Sequence, residues 1–383
     1  MTYLDNNTAT KPSQTVILAM MPYFEEHYAS PSCPHAMGQE LLRPIEKALH
    51  AIYHLAGAKE DDLFVFTSSY SESITQVIHS VYEQVARQTG KTHFITSTIG
   101  DAATIYALSK LEEEGCALQM AKVSKEGYVP LDSIIEAITP RTCLISLPLA
   151  SALTGVIQPV YDIAALCKER GILLHIDVTH ALGKLLVDFA ELGADYLTFN
   201  GEQLHAPKGT GGLFARKGTP LIPLIAGDGQ ETRFRGGPIN VPLEIALGQA
   251  CIEAEQSSTL YCSEVARLRD LFEERIIQQC PEASVLFKES ERLPTTSAIA
   301  FYGIRSEALL YALSKKGVFA TMGGGCEQHI ERVVEASGID HIIASCTLSF
   351  SLSKFTTEHD IEKAATIIGE AIVRLRKLSK TLL

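Results

Sequence analysis

The sequence lacks the features that mark nucleic-acid and membrane proteins. It carries 33 Lys and Arg against 45 Asp and Glu, a formal charge of −12, and no basic cluster stands out that could neutralise phosphates. This excludes a general binder of nucleic acid or anionic membranes. No apolar run approaches the roughly 20 residues a membrane helix needs. The opening Met1-Thr2-Tyr3-Leu4-Asp5 lacks the basic and then apolar pattern of a secretory signal, so a cytoplasmic location is expected. Nine cysteines are present, but they are odd in number, dispersed and without a CxxC pair. Neither a disulfide framework nor a zinc site is indicated, no metal is expected, and most of the thiols should behave as small buried apolar groups. Internal repeats and low-complexity tracts are also absent.

What is present suits a large soluble core. A chain of 383 residues, 46% of them hydrophobic, is long enough for two or more domains. Short apolar runs at Leu63–Thr67, His93–Ser97, Cys143–Leu147, Leu173–Asp177, Tyr196–Phe199 and Gly212–Ala215 read as strands. Helical spacing fits between them at Ser71–Gln88, Ala102–Glu114, Asp132–Ala137 and Ile163–Glu169. This alternation predicts an α/β fold with a mostly parallel sheet covered on both faces. In such sheets ligands gather at the carboxyl ends of the strands. Ser68-Ser69, Ser97 to Asp101, Asp177 and Asn200 to Gln203 all stand at such ends, so one shared pocket is expected.

Three parts are expected along the chain: an extended arm at residues 1–14, a large domain at 15–256 and a small α+β domain at 257–383, against which the arm packs. Leu243 to Arg275 reads as one long helix or two in sequence that bridge the domains. An amphipathic helix from Thr357 to Leu378 closes the chain.

The organising stretch is Thr198-Phe199-Asn200-Gly201-Glu202-Gln203-Leu204-His205-Ala206-Pro207-Lys208-Gly209, a strand running into a glycine-rich, proline-bounded turn. With Asp177 before it, this stretch resembles the pyridoxal-phosphate (PLP) signature of the NifS-like cysteine desulfurases, in the class V aminotransferase superfamily. Tyr3-Leu4-Asp5-Asn6-Asn7, Phe66-Thr67-Ser68 with Glu72-Ser73, Gly155-Val156-Ile157-Gln158-Pro159, His175 to Lys184, Arg235-Gly236-Gly237 and Phe350-Ser351-Leu352 extend the resemblance, in order, over nearly the whole chain. It implies PLP fold type I, with a large domain built on a mostly parallel sheet. It also implies a homodimer, because the family builds each pocket from both subunits.

The resemblance assigns roles and exposes departures from them. Asp177 matches the carboxylate that pairs with the pyridine nitrogen and keeps the ring an electron sink, although an Asp ending a buried strand could instead cap the next helix. His180 stands where a Gln contacts the ring hydroxyl, and could donate the same bond or simply pack. Ser71 can replace a phosphate-binding Thr, and Arg235 is a substrate-binding candidate. The Schiff-base Lys is replaced by Gln203, in a register that Gly201 and Pro207-Lys208-Gly209 fix without a gap. Asp101 takes the place of the ring-stacking, acid-base His, and Ser349 that of the Arg that binds the substrate carboxylate. Asn200 and Glu202 fall where a Ser and a His bind the phosphate, and Pro238 where the neighbouring subunit offers a Thr.

A Gln has no nucleophilic amine and forms no Schiff base. Cys326, in Gly323-Gly324-Gly325-Cys326, matches the cysteine that accepts sulfur as a persulfide. The expectation is therefore a degenerate cysteine desulfurase of iron-sulfur metabolism that binds PLP weakly or not at all. It would act as a sulfur acceptor through Cys326, or as a binding partner of a scaffold protein or an active paralogue. The alternative is an enzyme that holds PLP, or another ligand, without a covalent lysine.

Overall fold

The computed structural model describes residues 1–227, 233–324 and 328–381. Seven strands form the main sheet: β1 (Leu63–Thr67), β2 (His93–Ser97), β3 (Ala117–Ala121), β4 (Thr142–Pro148), β5 (Leu173–Asp177), β6 (Tyr196–Asn200) and β7 (Gly211–Ala215). Their spatial order is β1-β7-β6-β5-β4-β2-β3. β3, β2, β4, β5 and β6 run parallel, while β7 is antiparallel to both β6 and β1. The fold is the expected α/β class with a large, mostly parallel sheet.

Helices cover both faces, so the central strands are apolar almost without interruption; all seven residues of β4 are buried. β3 has no counterpart in the sequence reading. It lies at the sheet edge with a half-exposed face, and its Ala-Leu-Gln-Met-Ala lacks the β-branched residues that announce a strand.

The reversal of β7 sets the shape of the pocket edge. Gly211 pairs with both Thr67 and Asn200, and a Cβ there would come within 2.6 Å of the Ser69 backbone and of Thr67 Oγ1. Only glycine allows so close an approach. The ends of β1, β2, β4, β5 and β6 and the start of β7 therefore meet on one edge.

The C-terminal part contains a three-stranded antiparallel sheet in which Thr296–Phe301 lies between Ala283–Leu286 and Thr347–Ser351. The helices Ala266–Gln279 and Glu358–Thr381 enclose a core with it that includes Phe272, Phe301, Phe350 and Ile368. The segment expected as one helix or two breaks after Val241–Gln256 and resumes through a π-turn at Tyr261–Val265 into Ala266–Gln279. Arg292 and Glu273, both side chains 4% exposed, form a two-pronged ion pair at 2.8 and 3.3 Å. Arg292 also bridges to Val156, so the pair links this part to the turn after β4.

The N-terminal arm runs between the two sheets. Thr2–Tyr3 pairs in parallel with Val318–Phe319, and Leu4 is buried in the C-terminal core. Asn6 Nδ2 then donates to Ser351 O at 2.8 Å, and the Asn7 amide to Ser351 Oγ at 2.8 Å. These bonds deliver Asn7 to the pocket edge of the main sheet. Among the described residues no helix is long and apolar enough to cross a membrane.

Candidate functional site

At that edge lies a cavity of about 120 Å3, lined by Asn7, Tyr70, Asp101, His180, Gln203 and Gln328 among others. Asn200, at the end of β6, also lines it. The structure thus brings together four of the predicted positions: Asp101, His180, Asn200 and Gln203.

Gln203 sits in a single 3-10 turn, Gly201–Leu204, directly after β6, and is 3% exposed. Its Nε2 donates to Asn7 O at 2.9 Å and its Oε1 accepts from Lys184 Nζ at 3.3 Å. Both ends of the amide are therefore committed. Lys184 is an amine the sequence reading passed over, although a lysine inside Ala181-Leu182-Gly183-Lys184-Leu185 signals a buried charge. It lies behind Gln203 beside a separate small void rather than in the central cavity, and burial pushes its pKa down to about 7.

A depressed lysine pKa has a definite sign in stability. Between about pH 7 and pH 10 the unfolded chain carries a proton on this amine that the folded chain has released, so this group makes stability rise with pH across that window. Lys184→Met should remove up to about 1.4 kcal/mol per pH unit of that slope. Chemical unfolding of both proteins across the window reads the difference, and equal slopes would contradict the assignment.

Asp177, at the end of β5, is 4% exposed. Its Oδ1 accepts from Thr179 N at 3.2 Å, Thr179 Oγ1 at 2.7 Å and Thr198 Oγ1 at 3.2 Å. No helix begins here, so the capping alternative is replaced by a turn that the carboxylate holds from within. Burial, followed by the nearby Asp101 charge, pushes its pKa up to about 7.

Asp101 caps the helix Ala102–Glu113 through Ala103 N at 3.0 Å, and its Oδ2 accepts from Gln328 Nε2 at 2.8 Å. The Tyr70 hydroxyl lies close to the same carboxylate, whose pKa burial raises. Tyr70, Asp101 and Gln328 thereby form a chain of polar contacts along the cavity wall. The roles of Tyr70 and Gln328 were not foreseen, because the three residues come from distant segments. His180 is buried and kept neutral, its pKa pushed down to about 3 by burial and then by Lys184.

Other candidates lie apart. Ser71 is one residue beyond Tyr70 and does not line the cavity. The Glu202 side chain turns away from the cavity to Lys208, 3.6 Å distant, while Thr10 Oγ1 bonds its carbonyl. Arg235 pairs with Glu72 at 3.2 Å, and the other oxygen of that carboxylate accepts from Ser68 N and Ser68 Oγ. With Pro238, Arg235 lines a separate, more open groove of about 510 Å3. Ser349 is buried and donates to Leu153 O at 2.7 Å. Cys326 lies outside the described residues; Gly323–Gly324 and Gln328–His329, on either side of it, pair as short antiparallel strands.

A mostly parallel sheet whose strand ends gather one pocket, with a buried aspartate closing β5, defines the scaffold of PLP-dependent fold type I proteins. The sequence profile of the class-V aminotransferases matches residues 2–364, and the chain belongs to that family. It is 33% identical over 381 residues to the cysteine desulfurase of Nostoc sp., a match covering 98% of this chain and 94% of the relative. The cysteine desulfurase NifS of Azotobacter vinelandii is equally similar, 33% over 381 residues with the same coverage. Among solved structures, a NifS-like protein superposes with a TM-score of 0.91 at 28% identity, covering 97% of this chain and all of that one.

Proposed function

We propose that this chain is a cysteine desulfurase homologue that has lost the lysine-dependent PLP reaction and serves sulfur and iron-sulfur metabolism as a sulfur acceptor through Cys326 or as a binding partner. It would do so as a cytoplasmic homodimer beside a scaffold protein or an active paralogue. The observation that carries this reading is the Gln203 amide, held between Asn7 O and Lys184 Nζ where the family's reaction needs an amine.

When bound, PLP supplies an electron sink for bonds at an amino acid's α-carbon. The residues here do not fit it. No lysine lines the central cavity among the described residues, and its volume of about 120 Å3 is well below the roughly 300–1,000 Å3 of pockets that bury drug-sized ligands. Arg235 is paired with Glu72 and Lys208 with Glu202, so a phosphate would have to compete with a carboxylate for either of these cations. Asp101 in turn already accepts from Ala103 N and Gln328 Nε2.

With added PLP and L-cysteine, sulfide and alanine formation should fall at least about a thousandfold below that of an active cysteine desulfurase, the scale on which losing a covalent group and an acid-base group acts. Persulfide offered by an active desulfurase should appear on Cys326 by mass spectrometry and vanish in Cys326→Ala. The second reading, an enzyme with a non-covalent ligand, is favoured by the retained Asp177 with its three hydrogen bonds. Sulfide release abolished by either Cys326→Ala or Asp177→Ala would establish it over the first.

A further inference from the structure

A chain of hydrogen bonds crosses the main sheet and ends on Asp177. On the parallel neighbours β4, β5 and β6, Ser146 stands opposite His175 and Asp177 opposite Thr198. His175 and Asp177 are two residues apart on β5, so the period of two along a strand puts all four side chains on one face. Ser146, His175 and Thr198 are at most 1% exposed. His175 Nδ1 lies 2.7 Å from Ser146 Oγ, its Nε2 lies 2.8 Å from Thr198 Oγ1, and that hydroxyl lies 3.2 Å from Asp177 Oδ1.

The direction of this chain is fixed from its far end. Asp177 Oδ1 also accepts from Thr179 N and Thr179 Oγ1. An ionised carboxylate only accepts, and with Oδ1 so occupied the neutral acid carries its proton on Oδ2. In both states the single hydrogen of the Thr198 hydroxyl therefore points at Asp177. Thr198 Oγ1 then has only lone pairs to offer His175, so Nε2 is the donor. Burial keeps the ring neutral by pushing its pKa down to about 3. A neutral imidazole has one N–H, which leaves Nδ1 to accept from the Ser146 hydroxyl.

Packing does not call for such a chain. Leu144, Leu147, Leu174, Ile176, Leu197 and Phe199 are buried on the same three strands, and aliphatic side chains at 146, 175 and 198 would spare the cost of desolvating three polar groups. What the three have in common is that each donates toward one carboxylate at the pocket edge. Aligned hydrogen bonds of this kind strengthen one another.

We propose that His175 is a positioning residue: fixed as the neutral tautomer with its hydrogen on Nε2, it aims the Thr198 hydroxyl at Asp177, favours the charged carboxylate and leaves Oδ2 as the oxygen that takes or releases the proton. The relay belongs to the unliganded chain and does not depend on whether PLP is bound. The balance of forces on Asp177 agrees with it. Burial, followed by Asp101 from the end of β2, pushes its pKa up to about 7, while the hydrogen bonds from Thr179 and Thr198 oppose the rise. Tyr70, at the start of the helix after β1, also bears on Asp177 and is itself pushed up by burial; His180, on the turn after β5, is kept neutral. Burial alone acts on His175.

Nuclear magnetic resonance of the full-length protein tests the relay in two ways. With 15N-labelled histidine, the His175 signals, assigned by their loss in His175→Leu, should show the Nε2–H tautomer and stay unchanged between about pH 8 and about pH 5, because the ring does not protonate there. With 13C-labelled aspartate, the Asp177 carboxyl, assigned with Asp177→Asn, gives the titration midpoint directly. Thr198→Val should raise that midpoint by about one pH unit, the scale of one lost hydrogen bond to a charged acceptor. His175→Leu should raise it in the same direction, and the double variant no further than Thr198→Val alone, since the histidine acts only through the hydroxyl. His175→Gln, whose amide keeps an N–H for Thr198, should restore most of the effect. Asp101, Tyr70 and His180 are the same in these proteins, so differences between them report the relay. An Nδ1–H tautomer, a ring that titrates in that range, or a His175→Leu midpoint equal to that of the unaltered protein would overturn the proposal. The tautomer is read on the unaltered protein and decides even where a variant unfolds.

Discussion

Gln203→Lys is expected to convert a protein that PLP leaves unmodified into one that borohydride labels at the introduced amine. Position 203 is the wall between the central cavity and Lys184, so an amine placed there is the first among the described residues to line the pocket. Lys184, at 3.3 Å from the present amide, already titrates near 7 because it is buried. A second amine beside it cannot easily ionise as well, which keeps the new group unprotonated and nucleophilic near neutral pH. Labelling should need excess PLP, because Asp101, Glu72 and Glu202 are not altered. Peptide mapping after desalting and then reduction should place the adduct at residue 203 and nowhere in the unsubstituted chain. A folded variant that gains no label would mean that the missing amine is not what separates this pocket from covalent PLP chemistry.

The largest stability effect should come from a residue far from the cavity. Glu273→Ala leaves the Arg292 guanidinium buried, its two-pronged partner gone, and breaking such a pair from one side typically costs about 3–5 kcal/mol. Urea unfolding should read that loss as a lower midpoint. Because Arg292 also bridges to Val156, the C-terminal sheet and the turn after β4 should loosen together. Glu273→Gln, which keeps one acceptor, should recover part of the loss. A change below about 1 kcal/mol would place the pair among the weakly contributing surface bridges.

The pocket was legible in the sequence wherever backbone geometry fixes position. Gly201 and the proline-bounded turn pin Gln203, and the end of an apolar run marks Asp177. What the side chains do with one another was not legible. Lys184 precedes Gln203 by a loop and a whole strand, and only the fold sets its amine against the amide. Tyr70, Asp101 and Gln328 come from three segments that no spacing connects. Glu202 falls where the family binds the phosphate, but its orientation was open in the sequence, and its side chain turns to Lys208 across the left-handed bend at His205. The edge strand β3 escaped because a half-exposed Ala-Leu-Gln-Met-Ala has neither alternation nor β-branching.

One spectrum bears most directly on the central claim. The purified, unsubstituted protein is mixed with PLP, desalted so that coenzyme held transiently by surface lysines is released, and only then treated with borohydride and examined by absorption and by intact mass. The account predicts no band that survives desalting and no mass added to any lysine. Reduced coenzyme covalently attached at Lys184, or at any other lysine of the chain, would contradict it.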